Sequence, residues 1–346
     1  MVYPRLELAL SIAPVVTSRL PILAARVLKS NNYISIVMSS TSFDSSPDLR
    51  TIGSRLDEGV TAAPAKIQRE YNLPLTPVVT IKPTKAWLPL DLRHLWTSRE
   101  LLYFLMWRDI KVRYKQTLLG ALWAILQPLV MMIIFAIFFG KLARMPTQGI
   151  PSPLFYYAGL SLWTFFSNSI TNGANSLFGN PNLITKIYFP RLLIPSAAVG
   201  AGVVDWAIAW LLFIPLLAYY GIGLTWKIVL ILPLSILITA LALGTGILFA
   251  ALNVKYRDVR YVLPFLLQAW MFTSPIIYDS SIVPREWSRI FLLNPVTGIV
   301  NTYRAALFGQ WINWWAIGFA GVFTLILLAA SAYAFKRMEK SFAELI

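Results

Sequence analysis

Asp205 is the one aspartate, glutamate, lysine, arginine or histidine inside the long apolar runs of the chain. A carboxylate at such depth has two roles open to it: it lines a route for a polar cargo, or it hydrogen-bonds a neighbouring helix. Coupling to protons or ions would call for several buried carriers, which speaks against an ion-coupled exporter. Elsewhere no set of ionisable groups converges as a catalytic site requires. There is no cysteine, which excludes disulfides, thiolate chemistry and cysteine metal sites, and the single histidine, His94, cannot build a metal site alone. A membrane enzyme acting on glycans would need carboxylates or a basic cluster on its outer loops, where only Asp279 and Glu286 supply acid. No G-x-x-x-x-G-K-[ST] loop is present, so any nucleotide is bound by another chain. The expectation is no catalytic residue, no metal and no cofactor.

The elements around Asp205 are those of a membrane protein. Of 346 residues, 57% are hydrophobic and 13% charged, against about 25% charged in a soluble domain. The formal charge of +15 is threaded between apolar runs, whereas a nucleic-acid binder spreads its cations over a soluble surface; no nucleic-acid partner is expected. Runs of the length a membrane helix needs, about 20 residues, lie near Leu118–Gly140, Leu154–Leu177, Leu192–Tyr220, Ile228–Leu252, Val262–Tyr278 and Trp314–Phe335. The fold class is therefore an all-α integral membrane protein with six transmembrane helices. The fifth run is the shortest, and it carries Pro264 and Pro275.

Charge sets the orientation, because lysine- and arginine-rich loops stay in the cytoplasm. Cations crowd the stretch before the first run, Lys186 and Arg191, the Lys255, Arg257 and Arg260 loop, and the segment after the last run; fewer occupy the alternate loops, at Lys141, Arg144, Lys227, Arg285, Arg289 and Arg304. Both termini are thereby expected on the cytoplasmic side of a cytoplasmic membrane. Outside, Trp287–Leu293 and Thr297–Phe308 are broken by Asn294 and Pro295 and are each too short to cross about 30 Å of hydrocarbon. They read as half-helices at the outer interface or dipping back into the protein; an ordinary loop is the alternative.

Three domains follow. Residues 1–84 mix proline, serine and charge without a sustained period and read as a mostly disordered extension. Residues 85–117 hold an amphipathic helix at the inner interface: Thr97 and Glu100 have capping-box spacing, Tyr103, Trp107, Ile110 and Tyr114 share a face, and Arg108, Lys111 and Lys115 adjoin it. Aromatics toward lipid and cations, Arg113 among them, toward headgroups suit such a position. Residues 118–346 form the six-helix domain.

The stretch NPNLITKIYFPRLLIPSA, Asn180 to Ala197, interrupts the apolar pattern with three prolines and two cations. Asn180 suits an N-cap and Pro181 the first helical position, while Pro190 pushes Phe189 out of the helical region. A stubby cytoplasmic helix results, carrying Leu183, Ile187 and Tyr188. On the residues alone it is either a docking surface for a partner or an interfacial turn with a snorkelling Lys186.

N-x-x-L-I-T-K-x-Y-F-P-R at Asn180–Arg191 is similar to the segment after the second span in the type-2 permeases of ABC transporters that export O-antigen, capsule and teichoic-acid chains. WRDIKVRYKQTLLGALWAILQP at Trp107–Pro128, ALNVKYRDVRYVLPF at Ala251–Phe265, and SPIIY at Ser274–Tyr278 followed by LNP ending at Pro295 agree in order and topological place. The resemblance covers about Trp87 to Lys340 and leaves the first 84 residues aside. It implies a half-transporter: two copies of the chain form a conduit, two copies of a separate ATPase bind beneath, and the cargo is a lipid-linked polysaccharide. It implies that the Asn180–Pro190 helix couples to the ATPase through Asn180, Leu183, Lys186, Tyr188 and Phe189, with Arg257 as a second contact. The helix bearing Trp107, Arg108, Lys111, Arg113 and Lys115 would flank lipid entry, and the outer half-helices would gate. Sugar C–H faces stack on aromatics, which makes Trp123, Phe135, Phe138, Phe139, Trp270, Phe272 and Tyr278, with Asp205, candidates for the conduit; belt or lipid-facing aromatics are the alternative. A secondary exporter would show internal repeats with matched broken helices, and none is seen.

Overall fold

The computed structural model of the chain describes residues 24–30, 33–39, 96–115, 120, 122–186, 189–223, 225–339 and 342, in two units, Met1–Lys82 and Pro83–Ile346. In the first, β1 (Ala24–Ser30) and β2 (Tyr33–Ser39) pair antiparallel, with Val27 opposite Ile36 and Ser30 opposite Tyr33. The expectation of a mostly disordered extension did not contain this hairpin. Lys85, Arg93, His94, Leu118, Ile187 and Tyr188 lie outside the described residues.

The regular elements of the second unit are all helices among its described residues: α1 (Arg99–Lys115), α2 (Leu122–Phe135) continued by a π-helical turn to Leu142, α3 (Ser152–Asn175), α4 (Pro181–Lys186), α5 (Leu193–Tyr219), α6 (Ile231–Lys255) with a 3₁₀ lead-in from Trp226, α7 (Val259–Phe272), α8 (Arg285–Leu292), α9 (Pro295–Phe308) and α10 (Trp314–Met338). Among the described residues four apolar helical stretches have the length to cross a membrane: Leu122–Leu142, Leu193–Tyr219, Trp226–Lys255 and Trp314–Met338. The other two expected spans differ for separate reasons. α3 is 24 residues long, about 36 Å, but it is too polar to face lipid and is buried along nearly its whole length by the helices around it. Some of its hydroxyls turn back on their own helix, Thr171 onto Ser167 O at 2.8 Å and Ser167 onto Thr164 O at 3.3 Å, while that of Tyr157 reaches Ala209 O on the neighbouring helix at 2.7 Å. α7 has 14 residues, about 21 Å; it starts at Val259, before the expected Val262, and ends before Pro275.

α3 is the axis of the bundle, with α2, α5 and α6 against it and α10 behind α6. Gly173 and Gly246 set the closeness of α3 and α6: a Cβ added at Gly173 would lie 3.4 Å from the Gly246 Cα. Small residues at such crossings let backbones approach without a hydrophobic drive between helices.

The break at Asn294 is as the sequence dictates. Asn294 Oδ1 accepts from the Val296 N–H at 3.1 Å and Pro295 occupies the first turn of α9, so the asparagine caps one donor and the proline removes another. The two helices it separates then part company. α8 is exposed at Trp287 and Ile290, whereas α9 is buried from Pro295 to Leu307 and packs on α10, α6 and α3.

Candidate functional site

At the α4 end of the bundle, a six-residue helix is far below the length at which a helix stands alone, about 12 residues, so tertiary contacts hold it. Its N-terminus is placed as expected, Asn180 preceding Pro181, but the Asn180 side chain donates to Ser176 O at 2.9 Å rather than capping α4. Leu183 and Phe189 are half-buried and pack on a cluster of Leu101, Leu102, Leu105 and Met106 from α1 with Leu193 and Ala197 from α5. Two of the residues expected to face a partner are thus turned into the protein, because apolar side chains beside an apolar helix gain more from burial than from water. Among the described side chains of α4, Pro181 and Asn182 are exposed. The Lys186 side chain and Tyr188 lie outside the described residues, and Arg257 is exposed in the turn after α6. Asn253 at that turn is buried and donates to Ala174 O at 3.0 Å, tying the end of α6 to the end of α3.

The face expected to run along α1 divides. Tyr103 and Trp107 are exposed, with Lys111 Nζ 5.2 Å from the Trp107 ring centroid, and Lys115 is exposed. Arg108 pairs with Asp109 at 2.8 Å. Tyr114 and Arg113 turn inward instead: Arg113 Nη1 and the Tyr114 hydroxyl both donate to the Asp205 carboxylate on α5. Arg113 therefore meets a carboxylate of the chain rather than a lipid headgroup, and Asp205 ties α5 to α1 while also lining the cavity beside the pair. A charge-assisted bond to a fixed carboxylate outweighs solvation of the guanidinium at the surface. Burial raises the Tyr114 hydroxyl's pKa, opposed by the Arg113 charge. Beside this knot is a cavity of about 320 Å³ with Trp123, Gln127, Thr164, Asn168, Asn172 and Trp206 among its lining.

At the other end of α3 the remaining candidates separate. Trp270 and Tyr278 line an aromatic cavity of about 800 Å³ together with Phe272, Trp287 and Phe291. Trp270 Nε1 donates to Asn294 Oδ1 at 3.0 Å, and Asn294 Nδ2 donates to Ser274 Oγ at 2.9 Å. The SPIIY and LNP stretches are thus interlocked by one asparagine. Phe135 and Phe139 stack on each other at 5.2 Å and lean on the core, in neither cavity, while Phe138 is exposed.

Arg304 escaped the sequence reading, which counted it as a loop cation. It is 3% exposed and donates to Pro275 O at 2.5 Å, Ile276 O at 2.8 Å and Phe155 O at 3.3 Å, its guanidinium 3.6 Å from the Phe155 ring centroid. The broken backbone after α7 finds its partner there. Gly159 makes the space, since a Cβ there would sit 2.4 Å from Arg304 Nη2. Close by in sequence, Asp279 is buried and accepts from Gln148 Nε2 at 2.8 Å and from the Ser281 hydroxyl; it is a fastening, and Glu286 on α8 is exposed. The signal for Arg304 was available: a lone cation within the apolar run Thr297–Phe308.

Long apolar helices around an axial helix sheathed in protein define a polytopic membrane protein. Residues 100–308 match the ABC-2 type transporter family, and the chain belongs to that family. It is 30% identical over 258 residues to the O-antigen export system permease protein RfbA of Myxococcus xanthus, spanning 73% of this chain and 98% of that one. It is 28% identical over 252 residues to RfbA of Klebsiella pneumoniae, with 71% and 95% covered, and 24% identical over 245 residues to the polysialic acid transport protein KpsM of Escherichia coli, with 68% and 92% covered.

Proposed function

We propose that the chain is the permease subunit of an ABC exporter that moves a lipid-linked polysaccharide across the cytoplasmic membrane, with ATP hydrolysed on a separate subunit. The observation that carries this is similarity along almost the full length of O-antigen export permeases. In this reading two copies form the conduit and both termini are cytoplasmic. Six crossings are counted: the four apolar helices, α3 within its protein sheath, and α7 extended by the Ser274–Tyr278 turn that Arg304 and Asn294 hold. α1 lies at the inner interface, with Trp107, Arg108, Lys111 and Lys115 toward lipid.

α4 is the coupling element. Closure of the ATPase dimer presses on the exposed Pro181–Asn182 tip, and differential contact there favours one arrangement of the helices over another. Trp123 and Asp205 lie on the cargo's inner route, and Trp270 and Tyr278 on its outer route, where aromatic faces suit sugar C–H surfaces. The test is reconstitution in vesicles with the cognate ATPase subunit and a lipid-linked glycan. Glycan should appear on the far side only with both subunits and ATP. Export by the permease alone, or export driven by a proton gradient without ATP, would overturn the reading.

A further inference from the structure

A six-residue helix that receives a push transmits it only as well as it is propped. One prop of α4 is α1, described above. The second comes from the other end of the chain. Arg191, just past Pro190, donates through Nη1 to Glu339 O at 2.8 Å. Glu339 is the residue after α10, and its carbonyl belongs to the set that a helix C-terminus leaves unmet, at the negative end of the dipole. Beyond it Phe342 is wholly buried, edge-on to Phe335 at 5.1 Å. Both phenylalanines sit in a cluster with Leu177, Ile194, Ile247 and Val254, against which Phe178, Phe189 and Leu192 pack. Those last three residues flank α4 on both sides. Phe189 also touches the α1 cluster, so it is the point at which the two props meet. Glu339 and Phe342 lie outside the residues matched by the family.

We propose that the C-terminal end of the chain is a strut for α4, with Phe342 and Arg191 as positioning residues that convert pressure on α4 into movement of α5 rather than local yielding. The inference rests on α4 being the coupling element. Pressure at Asn182 with Phe342 in place moves Phe189 and Arg191 together with the start of α5; without that ring, Phe189 has free volume to move into and the stroke is absorbed.

The experiment uses the complete permease–ATPase complex in vesicles and reads glycan exported per ATP hydrolysed. Phe342→Ala should insert and assemble normally while this ratio falls about tenfold, the size of effect that a residue along a coupling path exerts; Phe342→Leu, which refills most of the volume, should recover most of it. The chain has no cysteine, so spin labels at Asn182→Cys and Tyr333→Cys report the position of α4 against α10, and their distance distribution should broaden in Phe342→Ala. A wild-type ratio in Phe342→Ala overturns the strut. So does a narrow distribution alongside lost export, and so does equal depletion of both Phe342 variants from the membrane. Asn182→Glu at the exposed tip separates the premise from the inference. If it leaves ATPase recovery and export intact, α4 is not the coupling element; if it uncouples while Phe342→Ala does not, only the strut fails.

Discussion

The two ends of α3 are held by different chemistry. At the α4 end, Leu183, Phe189 and Phe342 lie in apolar clusters, with the Arg191 bond as a directional tie. At the α9 end, Arg304 reaches three carbonyls and Asn294 fastens Trp270, Ser274 and the start of α9. Apolar contact is non-directional, so side chains can shift among packings of similar free energy. A buried polar network admits one arrangement, because any departure leaves groups unpaired in a medium that penalises them. In the proposed mechanism the α9 end is the fixed abutment and the α4 end, tied by fewer directional bonds, is the part that moves as a unit with the start of α5.

Breaking the abutment should do most damage. Arg304→Ala leaves the carbonyls of Pro275 and Ile276 unmet, while that of Phe155 keeps its place in the α3 ladder; at about 1–3 kcal/mol for each orphaned group, a loss of about 2 kcal/mol or more is expected. It is read as a lowered unfolding midpoint of the purified protein in detergent. Arg304→Lys should recover less than half, having no planar fork to reach several acceptors. Gly159→Ala comes next, its methyl displacing the guanidinium for about 1–3 kcal/mol by the same measurement; a midpoint unchanged from wild type would refute the abutment. Asp205→Asn should cost about 1 kcal/mol, because the Arg113–Asp205 pair is partly exposed, with side-chain exposures of 32% and 26%. Its sharper readout is faster protease cleavage after Lys111 and Lys115 as α1 loosens. Smallest in stability is Arg108→Glu with Lys111→Glu, within about 0.5 kcal/mol. Export should nonetheless slow in vesicles rich in anionic lipid, where each cation near the surface contributes about 1 kcal/mol; equal rates in anionic and neutral vesicles would remove α1 from the lipid interface.

Much of the skeleton was legible from residues 96–342 because apolar length and capping chemistry are local. Asn294–Pro295 broke the helix where it should, and Pro181 started α4. What stayed hidden was long-range. Which face of α1 is covered depends on Asp205, far along the chain, so Tyr114 could not be told from Tyr103 by spacing. Leu183 and Phe189 were read as outward because a short apolar helix looks unpartnered until α1 is laid against it. The run Leu154–Leu177 has the length of a crossing but does not say whether lipid or protein surrounds it, and the aromatics of α2 and α7 showed equal promise although, of those named, Trp123, Trp270 and Phe272 border the two cavities and Phe135 does not.

The polarity of α3 bears on how the protein is made. A segment with so many hydroxyls and amides has little tendency to leave an insertion machine for bare hydrocarbon, and the helices that cover it, α5 and α6, are synthesised later. If α3 crosses as proposed, the nascent chain is expected to hold it back until its neighbours arrive, so that the three enter the bilayer as a group.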